Sequence, residues 1–560
     1  MNFLTRLPYN GFFKKNGFPA VFTGLLGIFF LGFLAFAAVT KPAFHDEFSF
    51  LSNSLHFLAF RTLQPYFTNY PSLYSYLISL PVSLLFWGIT AARIPLLTDP
   101  DPYAVSLIFD LNLPVWLIAS RLFSVFSWGA IILLAGRLAA RRHGTQATLV
   151  AALLIILDPY KILLPQAWLA LPDVIIALLA LAEYSLYEDY TRGGRTPPLY
   201  GAAVLAGLAA GLKLNGALLI IPVLAAPWLF KSKTASLSLT VKLFFVFMAM
   251  FLAGSPFLLI MPNAFLKGIL VEKQLLFHQT RTWGLTGNIA GMMSGLWQRD
   301  ALLTILFFPA IVFSIFRRRS EGFFLTLLAT SLPVLGSLGQ QNFSYYLFLF
   351  PLGAIQMAGL FCFCGQKLPG KTAHRIFYAA TAGLLLIFAF KTAVFIQSRL
   401  QPDNQCLAEK WIKKNIPDGT SFILDWAYVP NIEVKRVSKF IQRPGLHTPQ
   451  PGQEPLYRTI VETFRGDMKY YQTSSLVNCL YQPAEVTRGR ARYLVTSASC
   501  YERYFNNPSI ADWDDPLMDR LEKNRLIFYR LLLNGQLPYR IHKRFNSGSG
   551  PNVLIFEREK

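Results

Sequence analysis

Charge is what this chain has least of. Only 15% of its 560 residues are Asp, Glu, Lys or Arg, against about 25% in an average soluble domain, and the mean hydropathy is +0.40. A chain this poor in charge cannot cover a globule with a solvated surface, which excludes an ordinary soluble protein. Acids are scarcer still: 30 against 52 Lys and Arg, a net charge of +22. Five cysteines are too few for a disulfide scaffold. Cys362 and Cys364 lie in an apolar run and read as inert. Cys479 and Cys500 have the opportunity to pair if the C-terminal segment is extracytoplasmic, but spacing does not fix connectivity. That segment also lacks a nucleotide-binding glycine loop, a metal-ligand cluster and a hydrolase elbow, and the apolar part shows no internal repeat.

What fills the chain instead is a series of apolar runs of about 17–25 residues, each ended by Arg, Lys, Pro or Gly, the pattern of membrane spans. The first, 19–40, follows Arg6, Lys14 and Lys15; with no small-x-small cleavage site it reads as a retained helix rather than a signal peptide. The cations cluster in short loops between runs: Arg137/Arg141/Arg142, Arg192/Arg195, Lys231/Lys233, Arg317-Arg318-Arg319 and Lys367/Lys371/Arg375. That distribution is the positive-inside signature, so the basicity reports topology and argues against a nucleic-acid partner.

Placing every cluster in the cytoplasm gives eleven spans: 19–40, 113–138, 146–159, 172–187, 199–212, 215–230, 239–260, 301–316, 322–338, 343–364 and 376–396. The expectation is a polytopic α-helical protein of the plasma (inner) membrane, N-terminus cytoplasmic, with long outer loops at 41–111 and 261–299. The apolar stretch 71–87 inside the first loop is short and Pro-bounded and reads as interfacial helices. After residue 396 the composition turns polar. Residues 397–560 read as an extracytoplasmic α/β domain, with helices at 404–414 and 517–533 and strands at 421–425, 492–496 and 553–556.

Few residues in the apolar part can carry chemistry, and ionisable groups near a bilayer are functional candidates by default. Asp46 and Glu47 stand at the outer end of the first span. They read either as a general base with a partner that positions a hydroxyl or a divalent ion, or as solvated loop carboxylates at a helix start. Asp173 follows Pro172 on the same outer side, where Pro and Asp also make a common helix start. Arg121 lies about two turns inside the second span and calls for a carboxylate or phosphate, snorkelling being the alternative. Lys213, in an outward turn at the membrane edge, is placed to meet a lipid phosphate or to sit as an ordinary interfacial lysine. His278, Arg281 and Trp283 form a weaker basic–aromatic group in the second outer loop.

In order, these segments resemble the GT-C type polyprenyl-phosphate-sugar glycosyltransferases, the superfamily of the protein O-mannosyltransferases and the lipid A aminoarabinose transferases. The matching stretches are Asp46-Glu47, Asn69-Tyr70-Pro71-Ser72-Leu73-Tyr74, Ala119-Ser120-Arg121-Leu122-Phe123-Ser124, Leu171-Pro172-Asp173, Gly207 to Lys213 and Tyr345-Tyr346-Leu347-Phe348-Leu349-Phe350-Pro351. The resemblance covers about residues 19–396. The resemblance implies Asp46 as catalytic base, Glu47 as its companion and Asp173 as a second carboxylate of the site. It also implies Lys213, with Arg121 and more weakly His278 and Arg281, on the donor phosphate. Two departures stand out: the family's His-Pro-Pro reads Asn69-Tyr70-Pro71-Ser72, and its late Arg-Tyr reads Tyr345-Tyr346, one cation fewer. Residues 411–419 resemble the start of the extracytoplasmic domain of many bacterial members, which is expected to shape acceptor access.

The implied reaction is transfer of a sugar from a polyprenyl-phosphate donor to a lipid, glycan or protein acceptor at the extracytoplasmic face, with inversion and without ATP. No cofactor is required by the pattern; a divalent cation, Mg or Mn, on Asp46 and Glu47 is the one candidate. The rival reading is a transporter or lipid flippase in which Asp46, Asp173 and Arg121 line a pathway. Transporters place their sites near the midplane and commonly carry repeats, whereas these carboxylates map to one face.

Overall fold

The computed structural model describes residues 17–40, 45–65, 70–94, 101–230, 233–268, 270, 284–316, 318–337, 343–425, 429–430, 432, 454–465, 471–506, 516–548 and 550–559. It is mostly helical, with a small C-terminal sheet. Five described helices are long and apolar enough to cross a bilayer: Leu73–Arg93, Leu113–His143, Leu237–Gly254, Leu349–Lys367 and Gly370–Leu400. Six shorter apolar helices accompany them. The chain is a multi-pass membrane protein.

One expectation is corrected at once. The stretch 71–87 does not break into interfacial pieces; Leu73–Arg93 is a single 21-residue helix with Pro81 inside it. Proline ends helices in water, but in apolar surroundings the freed backbone groups are satisfied by neighbours and the helix continues. Two basic clusters assigned to one side do meet. Arg141 pairs with Asp189, and Arg142 with Glu188 at 3.3 Å, joining the end of Leu113–His143 to that of Asp173–Gly193.

The packing of Pro197–Leu212 against Lys233–Gly254 explains the glycines of the fifth motif. A Cβ on Gly207 would stand 2.5 Å from the Phe247 carbonyl oxygen and 2.8 Å from the Met250 Cβ, and one on Gly211 would stand 3.5 Å from the Gly254 Cα. Lipid tails are as apolar as leucine, so membrane helices associate through such close backbone contact.

By packing, the chain divides into two compact units. One comprises Met1–Ala38, Thr68–Leu77 and Ser120–Phe395; the other Val39–Phe67, Ile78–Ala119 and Ile396–Lys560. The second unit has a core in which Leu51, Leu55, Phe86, Ile108 and Trp116 enclose Ile460, from the strongly amphipathic helix Glu454–Arg465. It also holds a five-stranded sheet of β1 (Ser421–Leu424), β2 (Gln472–Ser475), β3 (Tyr493–Ser497), β4 (Tyr539–Phe545) and β5 (Val553–Arg558). The order is β2-β1-β3-β5-β4, with β2, β1 and β3 parallel and the remaining pairs antiparallel. The helices Asn404–Asn415 and Pro516–Leu533 fall where the pattern places them. The two strands absent from the sequence reading are the edges, β2 and β4.

A buried carboxylate holds the parallel end of this sheet. Asp425, one residue past β1, accepts from the hydroxyls of Tyr481 at 2.6 Å, Tyr529 at 2.8 Å and Thr496. Burial, then the neighbouring Asp425 charge, pushes both tyrosines far above their ordinary range.

Three substitutions test this account. Gly207→Val drives a branched side chain into the opposing backbone and is expected to lower stability by about 1–3 kcal/mol or more. Gly383→Ala, with open space around it, leaves thermal unfolding in detergent unchanged. Asp425→Ala strands three buried hydroxyls, each costing about 1–3 kcal/mol, and is expected to unfold the C-terminal segment first, read by limited proteolysis.

Candidate active site

Lys213 sits where a helix has to stop. Its extended backbone (φ −161°, ψ 143°) ends Pro197–Leu212 and starts the 3-10 turn Leu214–Leu219. The chain doubles back so tightly that a Cβ on Gly216 would lie 2.3 Å from the Ala209 carbonyl oxygen. That return turns the lysine side chain into protein. Its ammonium donates to both oxygens of Asp173, at 3.0 and 3.2 Å, and lies 4.3 Å from the centroid of the Tyr345 ring. Asp173, the first residue of Asp173–Gly193, is 2% exposed and the lysine side chain 12%. A buried carboxylate at a helix N-terminus, a bidentate ammonium and an aromatic face together satisfy charges that membrane burial would otherwise make untenable.

Tyr345 is itself fixed. Its carbonyl accepts from the Asn215 side chain at 3.0 Å, two residues beyond Lys213. It belongs to the 3-10 turn Phe343–Tyr346, whose Phe343 ring is covered by the Arg299 guanidinium at 4.7 Å. Arg299 also donates to the carbonyls of Tyr160 and Lys161. A cation thus lies against an aromatic ring at each end of the turn.

Other motif segments converge on the same unit. The Ser72 backbone N–H donates to Ser255, whose hydroxyl donates to the Gly211 carbonyl, and Leu73 packs between Gly211 and Gly254. The Ser124 hydroxyl donates to the Leu171 carbonyl, linking the arginine-containing stretch to Leu171-Pro172-Asp173. Arg121 is fully enclosed and engaged within the protein, so it does not snorkel to the headgroups.

The acidic pair belongs to the other unit. Asp46 and Glu47 lie in the first turn of the helix His45–Phe60 rather than in a loop. Glu47 is fully buried and engaged, which removes the solvated reading for it; the Asp46 side chain lies outside the described residues, as do His278 and Arg281. Among the described residues no three or more His, Cys, Asp or Glu side chains gather to hold a metal; the expected pair, Asp46 and Glu47, is only half described there. No disulfide joins Cys479 to Cys500.

Sequence reasoning placed Asp173 and Lys213 on one membrane face but gave them separate roles; the structure makes them a pair. It missed Asn215 and Arg299. The Lys213-x-Asn215 spacing was a usable signal for the first, while nothing in the sequence points from Arg299 to Phe343.

No protein-family model matches the chain, and no curated protein matches it in sequence. Among solved structures, ArnT from Cupriavidus metallidurans in the apo state superposes with a TM-score of 0.52 at 11% identity, over 96% of this chain and 98% of its own. The fold is of the GT-C type. ArnT bound to undecaprenyl phosphate aligns with a TM-score of 0.47 at 10% identity, over 97% and 98% of the two chains. The Archaeoglobus fulgidus oligosaccharyltransferase in complex with Zn and sulfate gives 0.45 at 14%, over 95% of this chain and 73% of that one.

Because an ion pair broken on one side leaves an uncompensated buried charge, Lys213→Ala is expected to lower stability by about 3–5 kcal/mol. The double variant Asp173→Leu/Lys213→Met restores much of that loss. Thermal unfolding of the three proteins in one detergent checks the cycle.

Proposed function

We propose that the chain is a membrane glycosyltransferase that moves a sugar from a polyprenyl-phosphate-linked donor to a lipid, glycan or protein acceptor at the extracytoplasmic face of the inner membrane. The observation that carries the reading is the enclosed Asp173–Lys213–Tyr345 cluster, built from three of the ordered motifs in a chain of GT-C fold. In this reading residues 1–396 are the catalytic membrane part, with a cytoplasmic N-terminus. Residues 397–560 are the extracytoplasmic domain.

The chemistry divides among few groups. Asp46 takes the proton from the acceptor hydroxyl, Glu47 supports it, and the acceptor oxygen forms its bond to the anomeric carbon as the bond to the phosphate oxygen breaks. The electron pair leaves with the polyprenyl phosphate. A single displacement inverts the anomeric centre. Lys213 and Arg121, with His278 and Arg281, stabilise the charge that grows on the departing phosphate, as preorganised cations do in a low-dielectric site. Asp173 holds the Lys213 ammonium in place for that task.

The test is transfer in proteoliposomes supplied with polyprenyl-phosphate-linked sugars, the products read by mass spectrometry. Asp46→Asn is expected to reduce turnover by about 10²–10⁴-fold, the range for loss of a general base, with its melting temperature unchanged. Full activity in that variant overturns the assignment of the base, and substrate movement across the vesicle without sugar transfer overturns the reaction class.

A further inference from the structure

We propose that the edge strand β4 is a docking surface for anionic, phosphate-bearing lipid headgroups, seating the C-terminal domain on the leaflet into which Gly370–Leu400 opens. The inference concerns the domain's attachment to the bilayer and does not depend on the transfer reaction.

The tether is short. Leu400 ends the last long apolar helix, whose Leu386, Phe390, Val394 and Leu400 are exposed, and Asp403 caps the next helix three residues later, a reach of about 10 Å at most. This same segment grips the tip of the β4–β5 hairpin. Asn404 accepts from the Gly548 backbone N–H at 2.9 Å and donates to the carbonyls of Gly548 and Gly550. The approach is so close that a Cβ on Gly548 would stand 2.3 Å from the Pro402 carbonyl oxygen, and one on Gly550, at φ +81°, would stand as close to the Asp403 carboxylate. Trp411 packs on His542 and Phe545, centroids 5.5 and 6.1 Å apart. The tip of the hairpin is therefore held close to the end of the last long apolar helix, within about 10 Å of chain.

The charge on that hairpin has one sign on its outer strand. From Arg540 to Arg544, β4 exposes five consecutive residues, Arg-Ile-His-Lys-Arg, with no acid among them. On the paired strand Glu557 takes His542 at 2.9 Å and the neighbouring Glu559 takes Arg540. Lys543 and Arg544 pair with no carboxylate among the described residues. The strand is one of the sheet's two edges, and its register slips between Ile541 and Lys543. Charges and a bulge also guard edges against pairing with other strands. What favours a headgroup partner is their position beside the membrane exit, together with the exposed Ile541 among them. Each such cation is worth about fivefold in partition to an anionic leaflet at low salt.

The experiment compares backbone amide exchange of the full-length protein in nanodiscs of zwitterionic phosphatidylcholine and of phosphatidylcholine with phosphatidylglycerol. Expected is slower exchange across β4 by about tenfold or more in the anionic discs, relieved by high salt and by the triple variant Arg540→Glu/Lys543→Glu/Arg544→Glu. Exchange in β1 and β3 should be the same throughout, reporting an intact sheet. Equal β4 exchange in both disc types overturns the proposal and leaves the cations as edge guards. Protection by anionic discs that survives the triple variant also overturns it, as does protection that appears only on adding a soluble polyanion.

Discussion

A charge removed from water has to be met by another, and in this molecule that requirement is concentrated at Lys213. Its ammonium is shared between the two oxygens of Asp173 and the face of Tyr345, which ties together the start of one helix, the end of a second and the turn before a third. Within an apolar bundle such a contact does more for uniqueness than for net stability: the separate charges are expensive to bury, and only one arrangement of the three elements brings them together. The tight return at Gly216 and the close helix approach at Gly207 and Gly211 serve that arrangement, since both set where the lysine backbone lies.

Two kinds of buried polar side chain can be told apart in the bundle. Some, like Arg142 with Glu188, close the ends of helices and account for themselves as ion pairs. Others, like Asn215 holding the Tyr345 carbonyl, are a step removed from any charge and work by fixing the position of a ring. In the C-terminal sheet Asp425 plays the part that Lys213 plays in the bundle, with hydroxyl donors in place of an opposite charge.

Much of this was legible in the sequence because the bilayer leaves few options. Apolar run length gave helices such as Ala301–Phe316 to the residue, and the cation clusters at 137–142 and 192–195 were placed on one side, where the structure joins Arg141 to Asp189. The single helix Leu73–Arg93 was missed because the stretch 71–87 looked short and Pro-bounded, whereas the helix runs on to Arg93 with Pro81 inside it. Strands β2 and β4 were missed because an edge strand need not alternate: Gln472–Ser475 is polar throughout and Arg540 to Arg544 is exposed throughout. At the site, residue types at the right places along the chain were readable, but pairings were not. Nothing in a linear order says that Asp173 will turn to Lys213, 40 positions away.

The core that encloses Ile460 sets a timetable. Its other members, Leu51 through Trp116, belong to the first quarter of the chain, yet Ile460 lies about 350 residues after Ile108. At a synthesis rate of about 5–20 residues per second, those early helices wait tens of seconds for the segment that completes their burial. Until then an apolar hollow stands open, and the loop region reaches its final form only after the last membrane helix has been made. The second unit is therefore a late product of biogenesis assembled from an early and a late piece, and a chain cut short anywhere before residue 454 leaves its own first loop unfinished.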